Sequence, residues 1–69
     1  MITYIVSSNK INSWHIHRYD DCVHMIDSDI TLEAEAEELA LSLAQTDQPS
    51  RVVKIEVDGV HRVVAGFGD

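Results

Sequence analysis

Residues 31–46, TLEAEAEELALSLAQT, decide the fold. Leu32, Ala36, Leu39, Ala40 and Leu43 recur at helical spacing and form one apolar stripe, which predicts an amphipathic helix lying on a sheet. On this reading Glu33, Glu37 and Glu38 project from the stripe into water, with Glu35 at its edge. Thr31 is placed to cap the helix, its hydroxyl accepting from a first-turn backbone N–H. Glu33 and Glu35 complement the positive end of the helix dipole. The helix is expected to end at Gln45 or Thr46, because residues 47–50 carry Pro49 and turn formers.

On the N-terminal side, Ile2, Tyr4 and Val6 alternate with Thr3, Ile5 and Ser7, a strand over 2–7. Ser8, Asn9, Lys10 and Asn12 favour a turn, with Ile11 the apolar break among them. Residues 13–19, SWHIHRY, alternate again: Trp14 and Ile16 face one way, His15, His17 and Tyr19 the other, and the two strands form a hairpin. Asp20 and Asp21 lead into 22–26, CVHMI, a candidate third strand in which Val23 and Met25 extend one apolar face. Asp27-Ser28-Asp29 breaks that pattern before the helix.

On the C-terminal side, 51–57 and 60–67 read as a hairpin around Asp58-Gly59. A two-residue turn would set Ile55 opposite Arg62. A three-residue loop, Val57-Asp58-Gly59, would set Ile55 opposite His61 and Val53 opposite Val63. The second register is preferred because it keeps Val53, Ile55, Val63, Ala65 and Phe67 together on an inner face. Phe67 is expected to be a packed anchor, with Gly66 and Gly68 letting the chain bend around it. The order β-β-(β)-α-β-β implies an α+β, two-layer single domain over 1–69, one helix packed on a four- to five-stranded antiparallel sheet. One helix covers one sheet face and leaves the other to water or to another chain.

Twelve Asp and Glu against five Lys and Arg give a net charge of −7, with 45% apolar residues. That balance argues against direct nucleic-acid binding and against anionic membranes, and it steers the chain toward basic partners. The plainer alternative is that acidic charge keeps a small protein soluble. A single cysteine, Cys22, leaves no internal disulfide framework and favours a reducing compartment such as the cytoplasm. No secretory signal pattern and no apolar run of the ~20 residues that span a bilayer is read.

His15 and His17 share a strand face, and Cys22 and His24 repeat the two-residue spacing. If adjacent strands converge them, His15, His17 and His24 are candidate zinc ligands; without a CxxC pair or an HExxH helix, the plainer reading is half-exposed strand residues. Cys22 with His24 lacks an orienting third group for nucleophilic catalysis, and Cys22 reads as a small, partly buried apolar residue. The helix glutamates look solvated rather than tuned for acid–base work. Gly66-Phe67-Gly68 opens no helix and meets no phosphate-loop pattern. The expectation is therefore a non-enzymatic protein without cofactors. Leu41 falls opposite the stripe among Glu37, Glu38 and Gln45, an apolar centre with a charged rim suited to contact. Tyr19, Val52, Val60 and Val64 would dress the open sheet face, and homodimerisation through that face or the edge strand at 60–65 is the alternative.

Trp14-His15-Ile16, the T-x-E-A-E-A-x-x-x-A-x-x-x-A pattern of residues 31–44 and the Val53 to Gly59 hairpin together resemble very small bacterial and phage proteins with one helix on an antiparallel sheet. The layout and acidity are also similar to some anti-CRISPR proteins, short phage inhibitors of RNA-guided nuclease complexes. That resemblance implies an inhibitor that occupies a basic channel meant for nucleic acid, with Asp27, Asp29, Glu33, Glu37 and Glu38 as phosphate mimics.

Overall fold

The computed structural model describes residues 1–10, 13–56 and 58–68, the side chains of Asn9 and Lys10 excepted. It contains strands β1 (Ile2–Lys10), β2 (Ser13–Tyr19) and β3 (Val23–Ile30), helix α1 (Glu33–Thr46), and strands β4 (Ser50–Ile55) and β5 (His61–Phe67). The sheet order is β3-β2-β1-β4-β5. Three neighbouring pairs are antiparallel, but β1 and β4 run parallel, with Ile2 opposite Ser50 and Val6 opposite Lys54. The sheet is thus mixed, which corrects the expectation of an antiparallel one. β3 ends at one edge, and α1 carries the chain back across the sheet to deliver β4 beside β1; parallel neighbours need a crossover of this kind. Side-chain alternation within a strand does not register strand direction.

Tyr4, Val6, Trp14, Ile16 and Val52 from the sheet meet Ala36, Ala40 and Ala44 from α1 in one core. All three alanines are fully buried. Their small side chains let the helix sit close to the sheet, while the two aromatics supply bulk. At about 100° per residue, this stripe lies about 60° round the helix from the one read off the leucines. Leu39 and Leu41 then fall on its two flanks, and both pack against the core. Leu41 is therefore half-buried, not the exposed contact point expected of it. Leu32 lies just outside the helix and is exposed; it is the N-cap residue, with no side-chain capping bond, so Thr31 does not cap.

β1 extends through Ser8, whose hydroxyl donates to the Ser13 carbonyl at 2.9 Å, so the turn expected from Ser8 is shorter; its Ile11 and Asn12 lie outside the described residues. β3 continues through Asp27-Ser28-Asp29 instead of breaking there. Register shifts opposite Ile16 absorb the irregularity, and Asp29 takes a left-handed backbone (φ 60°), which Asp tolerates better than most residues.

The last hairpin has the preferred register, Ile55 opposite His61 and Val53 opposite Val63. Gly59 (φ 88°) donates its N–H to the Glu56 carbonyl and Glu56 donates to Val60, both at 2.9 Å; Val57 of the expected loop lies outside the described residues. The faces are reversed, however. Parallel pairing sets Tyr4 beside Val52 and Ile5 beside Val53. Since Tyr4 and Val6 lie under the helix, Val52 and Lys54 follow them inward, and Val53, Ile55 and Val63 turn to the open face. Val52 and Val64, expected on that open face, pack inward, whereas Tyr19 and Val60 are exposed. A register shift at Val52/Val53 lets Ala65, opposite Val52, and Phe67, opposite Ser50, remain on the inner side.

Candidate functional site

Lys54 points from near the end of β4 into the space under α1 and is 2% exposed. Its ammonium pairs with Glu33 and lies 3.3 Å from Glu37 Oε1 and 3.8 Å from Glu56 Oε1. It also sits 5.5 Å from the centre of the Trp14 ring, a cation–π contact. Arg62, opposite Lys54 on β5, reaches Glu56 at 3.2 Å. A buried ammonium without a counter-charge costs several kcal/mol. Glu33 and Glu37, four apart on one side of the helix, are turned toward it. Sequence reasoning set both among the outward-facing, partner-binding residues; the structure commits them to the chain's own lysine.

A second cluster closes the other end of the helix. Arg18, near the end of β2, bonds Asp20 at 2.6 Å and Asp47 Oδ2 at 3.0 Å. The Tyr4 hydroxyl donates to that same Asp47 oxygen at 2.8 Å. The Cys22 N–H and then Arg18 hold the Asp20 carboxyl down at about 2. The Tyr4 hydroxyl, followed by Arg18, holds Asp47 below the usual carboxylate range. Burial, reinforced by Asp47, pushes the Tyr4 phenol up. No pattern in the sequence links residues 4, 18, 20 and 47, because each belongs to a different element or turn.

Among the described side chains, Arg18, Lys54 and Arg62 are thus engaged with Asp20, Asp47, Glu33, Glu37 and Glu56. Arg51 donates instead to the Thr3 hydroxyl at 3.1 Å. The exposed acids outside these ion pairs include Asp27 and Asp29 on β3 and Glu35 and Glu38 on the outer side of α1. Of the expected contact residues, Asp27, Asp29 and Glu38 are exposed and outside the described ion pairs, as is Glu35.

His15 and His17 face the open side with ring centres 6.4 Å apart. His24 pairs with Arg18 on the opposite face, so His15, His17 and His24 do not converge as ligands. Among the described residues, no group of three or more His, Cys, Asp and Glu is arranged to hold a metal ion. Cys22 is exposed in the β2–β3 turn, not partly buried as expected, because that turn is built on Asp20, which accepts the Cys22 N–H at 3.1 Å. The open face bears a shallow depression of about 270 Å³ between Ile5, Tyr19, Arg51, Val53 and His61. That falls just below the range of about 300–1,000 Å³ usual for small-molecule pockets. No helix among the described residues is long and apolar enough to cross a membrane.

No family model, no curated protein and no solved structure matches this chain.

Proposed function

We propose that this chain is a non-enzymatic acidic binding protein that engages a basic protein surface through β3 and the outer flank of α1. One observation carries the reading: Asp27, Asp29, Glu35 and Glu38 are exposed on consecutive elements and outside the ion pairs that occupy Glu33 and Glu37. No ion pair among the described residues cancels their charge, in a chain of net charge −7. Carboxylates so placed form charge-assisted bonds to Arg and Lys of a partner. β3 is also an edge strand. Its acidic side chains and irregular register discourage strand-to-strand aggregation while leaving it accessible. The resemblance to anti-CRISPR proteins extends the proposal to a target class, the nucleic-acid channel of an RNA-guided nuclease complex, where the carboxylates would stand in for phosphates.

The test is competition between this protein and target DNA for such a complex, followed by mobility shift over a salt series. Displacement of DNA is expected at low salt, fading steeply as salt rises. Asp27→Lys combined with Glu38→Lys should abolish it, and Glu33→Gln should leave it largely intact. Displacement that ignores both salt and the charge reversals, or no displacement at low salt, overturns the proposal.

A further inference from the structure

The two faces of the sheet differ in a way that net charge hides. Over the paired stretches of all five strands, the open face presents no Asp or Glu, although the chain contains twelve. The one carboxylate beside it is Asp29, in the irregular stretch of β3 between the paired Asp27 and Ile30, which accepts from the Ser13 hydroxyl at 3.4 Å. In place of acids the face carries apolar groups: Ile5 and Val53 at the centre, and Tyr19, Val23, Met25 and Val63 toward the edges. The last four are all large hydrophobics left exposed, Val63 by 64%. A solvated face on a strongly acidic chain has no physical reason to be clear of carboxylates.

We infer that the open face is a self-association surface that pairs this chain with a second copy about a two-fold axis. Two bodies that each carry −7 repel, and close approach is cheapest through the face where Asp29 is the one carboxylate each brings near it. An acidic partner fits less well. Among the described side chains the permanent cation on the face is Arg51, already donating to Thr3; the depression around it is mainly apolar, and His15, His17 and His61 are the other polar groups flanking it. The area is sufficient. Five strands about 4.8 Å apart, each contributing about five residues, span on the order of 400 Å² in projection and more in accessible surface. Two such faces bury on the order of 1,000 Å², the threshold for a specific interface. Val23 and Met25 of β3 lie within the paired face, but Asp27, opposite Ile16 on the helix side, and the outer flank of α1 stay outside it, so the inference does not rest on the acidic-surface reading.

Sedimentation equilibrium of the intact chain over a concentration series tests it. The mass is expected to double with rising concentration, and the association to tighten as salt screens the repulsion, the opposite sign to acidic-surface binding. Val63→Glu and Tyr19→Asp, both at exposed positions, should each raise the dissociation constant at least about tenfold while circular dichroism stays unchanged. Glu38→Lys should not weaken association. A monomer at every concentration and salt overturns the inference and leaves the face to a different occupant. Doubling that survives both substitutions overturns it equally.

Discussion

The sheet has one face closed by α1 and one left open, and they differ in what they do with charge. The closed face contains a lysine, and around it are gathered Glu33, Glu37 and Glu56; Arg18 at the other end gathers Asp20 and Asp47. The open face has one carboxylate beside it, Asp29, and none among the residues paired across it. Acidity in this chain is therefore bound into ion pairs on one side, exposed along β3 and the outer helix, and nearly absent from the other side. Composition alone makes these three populations look like one.

The sharpest way to break that contrast is to delete the same kind of group from each face. Ile16 is fully buried beneath α1, and Ile16→Ala should cost about 2–5 kcal/mol from lost burial and the cavity left behind. Val63→Ala on the open face should stay within about 0.5 kcal/mol at concentrations where the chain is monomeric. Urea denaturation measures both, and equal losses would mean that the two faces are not distinct.

The lysine comes next. Lys54→Met removes the buried ammonium and leaves carboxylates around an apolar side chain, with an expected loss of about 2 kcal/mol. Combining it with Glu33→Gln and Glu37→Gln should return most of that loss, because the remaining repulsion goes with the charges. If the triple variant were no more stable than Lys54→Met, the glutamates would be bystanders and the rotation of the helix would have another cause.

The smallest effect expected is on pH. Asp20 is held at about 2 against an ordinary 3.8, and Asp47 is also depressed. Their contribution is complete above the ordinary value and is lost as pH falls from near 4 toward 2. Asp20→Asn with Asp47→Asn should flatten melting temperature across that window. Tyr4 runs the other way: its raised phenol keeps its contribution below its ordinary 10.0 and loses it as pH climbs past the shifted value. A melting temperature that falls with acid equally in wild type and in the double variant would place the acid-sensitive groups elsewhere.

Much of the fold was legible because alternation and helical spacing are local. Tyr4, Val6, Trp14 and Ile16 share the buried face that their alternation implies, and the helix ends at Thr46. The register of the last hairpin is also the expected one, although the inner face that recommended it is not where Val53, Ile55 and Val63 lie. Where sequence reasoning failed, it failed at Lys54. A pattern rule places a lysine in water and Val53 and Ile55 inside; the structure does the reverse. Glu33 and Glu37 were misplaced with it, since the helix presents them to the buried charge, and Leu41 lies at the core margin rather than at the surface. The candidate site was legible only for acids remote from this cation, on β3 and the far side of the helix.

The sequence by itself determined the excess of acid, which is composition, and the kind and order of elements and the β1–β2 faces, which depend on neighbours within a few residues. Only the tertiary structure decided which side of β4 is buried, which glutamates are committed inward and which sheet face is nearly free of carboxylate. Those depend on β4 lying parallel to β1, a pairing across some fifty residues that fixes the parity of one strand by the burial of another.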